Sequence, residues 1–233
     1  MVNVRLILDK DEKGEREYIL KRLSYYPTCT IEETKHKNLI TLDIASEMKG
    51  FRSVIRDIVS SVITIFYKYK FMHAGITLPE DPGLEYSAFF GALLSFDLDE
   101  EKEKIERKLY NLRYISLKGL YNFALDKLVE GWSAMAVLAN RLLSQCKSKE
   151  DILELVFFLL AVDSDFSPKV RLDNADTNEI FSDDVKVPIP NLTGDFDKDA
   201  IIAIVRERPL SIVLTEPSCL SHQFVNAIKG LSE

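Results

Sequence analysis

The chain has 233 residues, 46% of them apolar and 29% charged, and a formal net charge of −7. That is an ordinary globular composition, long enough for one large domain or two small ones. An acidic chain without a basic stripe lacks the Lys and Arg density that displaces counterions from a phosphate backbone, so no nucleic-acid partner is expected.

The charge is uneven. Residues 1–79 hold 13 Lys+Arg against 10 Asp+Glu, whereas residues 163–233 hold 7 against 13, so any contact with an acidic partner falls to the N-terminal part. MVNVRLILDKDEKG alternates like a strand and meets charge by Asp9, with no apolar h-region or cleavage site. Every long apolar run is broken by charge before ~18 residues. A cytoplasmic location without membrane insertion is therefore expected. Cys29, Cys146 and Cys219 are odd in number and have no C-x-x-C spacing, which points to free thiols rather than a zinc or redox site.

In chain order, residues 2–8 read as a strand and Lys13–Tyr26 as a helix whose stripe is Tyr18, Ile19, Leu23 and Tyr26, stopped by Pro27. TCTIEETKHKNLITLDI reads as a hairpin, with strands at 28–32 and 39–44 around a turn at 35–38. A helix over 49–72 presents Phe51, Val54, Ile55, Ile58, Val59, Val62, Ile63 and Phe66, with Arg52, Arg56 and Lys70 outside. Gly75, Pro79, Pro82 and Gly83 punctuate the chain and suggest a boundary.

A short helix follows in LEYSAFFGALLSF, and then three consecutive helical stretches over 104–162. Gly119 and Gly131 are candidate breaks, with Ser116 capping the helix after it. Tyr110, Tyr114, Tyr121, Phe123 and Trp132 fall at helical spacings that put them in the core or at a partner surface, the core being favoured. The last stretch, Ile152–Val162, is apolar almost all round with Glu154 its only charge, and is expected at the centre of the fold. Beyond it, strands are expected at 169–172, 179–181 and 185–189, a helix at 198–207, a buried strand at 210–215 and a final helix at 221–231. This second set of strands either forms its own sheet or continues the first.

The fold class expected is therefore α+β, a central helical core flanked by small mixed α/β segments at both termini. Three segments organise it: 1–78 as a strand–helix–hairpin–helix unit, 84–162 as the helical block, and 163–233 as a β-meander with helix–strand–helix packed on that block.

Few residues point to chemistry. His36, His73 and His222 have no Cys, His, Asp or Glu at the spacing that brings two ligands to one helix face. Asp195, Asp197 and Asp199 match the first three ligand positions of a calcium-binding EF-hand loop. The match then fails at Ala200, where glycine is needed, and at Arg206, where a bidentate glutamate is needed. Acids at a helix start are explained by the dipole and the free N–H groups. The same three aspartates remain the metal candidates, and Asp163, Asp165, Asp173, Asp176, Glu179, Asp183 and Asp184 form a wider acidic group suited to turns or to a divalent ion. Phosphate-loop, dinucleotide, nucleophile-elbow and H-E-x-x-H motifs are absent, so no catalytic residue and no cofactor are expected.

Tyr114-Ile-Ser116-Leu-Lys-Gly119-Leu-Tyr-Asn122-Phe123, the run DILELVFFLLAVDSDFSPKVRL and the closing KDAIIAIVRERPLSIVLTEP follow one packing pattern over about residues 104–217. In these stretches the chain resembles the YtxC-like proteins of endospore-forming bacteria. The resemblance implies a role associated with sporulation and supplies no catalytic residues, since that family has no established activity. The expected function is a non-enzymatic cytosolic protein acting through protein–protein contacts, with homo-oligomers compatible. The alternative is a metal-dependent enzyme or small-ligand binder using the acidic loops of 163–199.

Overall fold

Alternation makes the first strand. In β1 (Val2–Asp9) the side chains of Val4, Leu6 and Leu8 are buried while Asn3 and Arg5 face outward. Residues 2–162, 168–173, 178–215 and 220–231 are described by the computed structural model of the chain. They divide into two compact units, residues 1–68 with 98–133, and residues 69–97 with 134–233. The segment 84–162 expected as one helical block thus contributes to both.

In the first unit, β1 pairs antiparallel with β3 (Leu39–Ser46), which buries Ile40, Leu42 and Ile44 on the same face. The hairpin partner of β3 is β2 (Cys29–His36), a charged edge strand with no buried residue. The short β4 (Tyr114–Ser116) joins β1 in parallel and gives the order β2-β3-β1-β4. α1 (Lys13–Ser24), which buries Tyr18, Ile19 and Leu23, packs on α2 (Phe51–Val62). A π-helical turn (Ile63–Tyr67) follows α2, with all five side chains buried. α5 (Leu98–Leu109) packs on α2, and α6 (Leu117–Ala124) is capped by Ser116, whose hydroxyl accepts from the Gly119 N–H at 3.1 Å.

In the second unit, α3 (Lys68–Gly75, counted here from Tyr69) precedes α4 (Leu84–Ser95), whose residues Ser87–Ser95 are all buried. α4 packs most heavily on α9 (Phe196–Arg206), itself buried from Asp199 to Arg206, and next on α8 (Lys149–Val162). Gly91 permits this closeness: a Cβ there would lie 2.7 Å from the Val205 Cβ and 2.9 Å from the Ile202 carbonyl. α7 (Asp126–Leu143) runs through Gly131 without ending, and its residues from Ala134 on belong to this unit. Strands β5 (Lys169–Leu172), β6 (Glu179–Ser182), β7 (Val185–Pro188) and β8 (Ser211–Leu214) form a second sheet, order β7-β6-β5-β8, and α10 (His222–Gly230) follows. The two sets of strands share no pairing among the described residues.

The fold class is α+β, as expected, but three local expectations are corrected. The apolar α8 is not a central helix. Among its described side chains only Ile152 and Val156 are buried, because it covers α4 with a single stripe. β8 is an edge strand with no buried residue, since it pairs only with β5. Of the aromatics expected in the core, Trp132 is buried, but Tyr110, Tyr114 and Phe123 are well exposed, because the segment from 110 leaves α5 for a turn and β4 instead of continuing a helix.

Candidate functional site

The three metal candidates sit in the first turn of α9 and the residue before it, and each carboxylate is already engaged. Asp195 is the N-cap, its Oδ1 accepting from the N–H groups of Asp197 at 2.9 Å and Lys198 at 3.3 Å. Asp197 accepts from the Ser221 hydroxyl. Asp199 is buried, and its Oδ1 accepts from the N–H groups of Leu192 and Thr193 and from the Thr193 hydroxyl at 2.9–3.2 Å. Burial pushes the Asp199 carboxyl above its ordinary range, while these donors hold it back. The three aspartates therefore fasten a loop to a helix start, each in its own direction.

Three of the wider acidic group are similarly engaged, while Asp184 is exposed in the turn between β6 and β7. Asp173 accepts from Arg171 and from the Thr215 hydroxyl, Glu179 pairs with Lys186 at 2.9 Å, and Asp183 accepts from the Lys169 N–H. Asp163, Asp165 and Asp176, like Cys219, lie outside the described residues. Among the described residues no three His, Cys, Asp or Glu side chains converge as a metal site would require. His36 ends the edge strand β2, His222 begins α10, and His73 lies on α3, all three exposed.

The first unit holds a polar cluster that the sequence concealed. Lys68 is fully buried, with its ammonium 2.9 Å from the Glu101 carboxylate, which also accepts from the Trp132 indole N–H at 2.7 Å. Tyr67 donates to Glu12, whose other oxygen accepts from the Asp9 N–H at 2.7 Å. Burial raises the Glu12 carboxyl and the Tyr67 hydroxyl above their ordinary values. Lys68 follows ten buried positions in a row, so charge alone could not mark it as internal. Each of these contacts pairs a donor with an acceptor, as in the polar networks that specify a core.

A surface feature remains. On α8, Phe157 is 40% and Phe158 60% exposed, and on the second-unit part of α7, Val137 is 70% and Leu138 52% exposed. Exposed Tyr110 and Tyr114 in the first unit differ, because Arg56 and Arg5 lie over their rings at 5.4 and 5.5 Å. The α8 phenylalanines have no such cover among the described contacts. A helix this apolar that turns adjacent phenylalanines outward offers an anchor of the kind that fills a partner's pocket. No helix among the described residues is long and apolar enough to cross a membrane. Set against protein-family models, curated proteins and solved structures, the chain matches none of them.

Proposed function

We propose that this is a non-enzymatic, cytoplasmic protein that works through protein–protein contacts, in the sporulation setting implied by its likeness to the YtxC-like proteins. The observation that carries this reading is the outward face of α8, where Phe157 and Phe158 stand exposed on a helix with Glu154 as its only charge beyond the first turn. Aromatic anchors of this kind supply most of the energy of an interface, and the exposed Val137 and Leu138 of α7 add apolar area in the same unit. The metal-dependent alternative has less support, because Asp173, Glu179, Asp183, Asp195, Asp197 and Asp199 already accept from protein donors.

A photo-crosslinking residue at position 158, placed in sporulating cells, tests the proposal. One defined adduct is expected, and Phe157→Asp with Phe158→Asp should abolish co-purification of that partner while shifting stability by no more than about 0.5 kcal/mol, as surface changes do. An adduct with a second copy of the chain would make the contact a homo-oligomeric one. No defined adduct, together with unaltered sporulation on deletion, would overturn the reading.

A further inference from the structure

The longest open strand edge among the described residues is that of β2. It runs for eight residues with β3 as its one sheet partner, whereas β4, at the other side of the first sheet, has three residues, and the outer strands β7 and β8 of the second sheet have four each. The pairing shows which backbone groups point outward. The two-residue turn at Lys37 and Asn38 makes His36 and Leu39 a hydrogen-bonded pair, and such pairs alternate with non-bonded ones along the hairpin. The far side of β3 agrees. The Lys10 N–H donates to the Asn38 carbonyl at 2.9 Å, so β3 offers its even-numbered residues to β1 and its odd-numbered ones to β2. Thr30, Glu32, Thr34 and His36 therefore bond to β3, while Ile31, Glu33 and Lys35 turn their N–H and C=O groups to the open edge. None of these three N–H groups donates to another described residue.

Charge on an edge strand ordinarily repels an added strand. In β2 the order of the charges is instead self-complementary. Two copies continue one antiparallel sheet only when residues facing the same side meet, so the register moves in steps of two. With Thr34 opposite Thr34 of a second copy, Glu33 faces Lys35 and Glu32 faces His36, and both pairs recur in reverse across the two-fold axis. One step either way places Glu33 opposite Glu33 or Lys35 opposite Lys35, and like charges directly opposite are destabilising. The Thr34 register also sets Glu33 and Lys35 in bonded positions, where their outward N–H and C=O groups satisfy each other, and leaves the threonines as a close non-bonded pair. Arg16 of α1 holds the Glu33 carboxylate at 2.7 Å, which orders it before a partner arrives. We propose that β2 is a homodimer contact, in which the β2 edges of two copies pair antiparallel about a two-fold axis at Thr34 and join their sheets into one. The contact lies in the first unit and does not rest on the α8 surface.

Thr34→Cys tests the register. On the axis the two Cα atoms come within about 4.5 Å, a separation that a disulfide spans. Mild oxidation should therefore link this variant into a covalent dimer at least about tenfold faster than Glu32→Cys or the parent chain, whose cysteines do not meet on the axis. In sedimentation equilibrium the parent chain should rise from 26.6 kDa toward twice that mass as its concentration increases. Lys35→Glu and Glu33→Lys should each stay monomeric alone, and an equimolar mixture should recover the dimer, because the mixed pair restores opposite charges at both positions. Recovery on mixing also shows that both variants fold. Phe157→Asp with Phe158→Asp should leave the association unchanged. Thr34→Cys linking no faster than Glu32→Cys, a parent chain still monomeric at millimolar concentration, or no recovery on mixing would overturn the proposal. Loss of the dimer in the α8 variant would overturn it too, and would assign self-association to α8.

Discussion

Lys68 and Glu101 hold opposite charges where neither meets water, and the consequence of removing one is larger than the worth of the pair. Lys68→Ala removes the ammonium from beside a buried carboxylate that still accepts from the Trp132 indole, at a cost of about 3–5 kcal/mol. Against a typical total of about 5–15 kcal/mol that is a large share. Lys68→Met combined with Glu101→Gln should recover most of the loss in urea unfolding, because the amide oxygen still accepts from Trp132 and no charge is stranded. Asp199 makes a pH-dependent contribution of the opposite kind from a salt-bridged acid. Its folded carboxyl binds a proton more readily than the ordinary value of 3.8, mainly through burial. Between that value and the raised one, the folded state keeps a proton that the unfolded state has released, so stability falls as pH rises through the window. Asp199→Asn is neutral in both states and still accepts from Leu192 and Thr193. Its stability relative to the parent chain should therefore improve as pH rises through the mildly acid range, measured by unfolding midpoints across that range.

Among the elements, α4 and α9 depend on one missing side chain. Gly91→Ala gains about 0.8–1.0 kcal/mol of helix propensity, but its methyl would meet the Ile202 carbonyl, which cannot turn aside as a flexible side chain could. Overpacking of about 1–3 kcal/mol wins, so the variant should melt at a lower temperature, and the signals of Phe90 and Ile202 should move first as the helices separate. α8 illustrates the reverse case. Its composition asks for burial on all sides, yet one stripe touches α4 and the phenylalanines face outward. Hydrophobic periodicity reports how much apolar area a helix carries and is silent on how many neighbours arrive to cover it. The runs enclosed all round are Ile58–Tyr69, Ser87–Ser95 of α4 and Asp199–Arg206 of α9, and the first is disguised by its serines, threonine and lysine. Thr64 donates its hydroxyl to the Ser60 carbonyl of its own helix at 3.0 Å, so this polar side chain goes inside already hydrogen-bonded.

Over the whole molecule, the strands, the hairpin and the helix caps were legible because their causes are local. Alternation wrote β1 and β3, Pro27 ended α1 near its last turn, and Ser116 and the acids at Asp195 marked helix starts where free N–H groups need acceptors. The three-residue β4 was missed, since its pairing partner β1 lies more than a hundred residues away in sequence and only the tertiary fold supplies it. The candidate sites were less legible. The aspartates before and within α9 stand out in the sequence, and their geometry gives them to the loop and the cap. By itself the sequence determined the class, α+β, and most of the local elements, because backbone propensity, alternation and capping act over a few residues. Only the tertiary structure decided which apolar helices are enclosed and which charges are buried in pairs, because those outcomes depend on contacts between residues far apart in the chain.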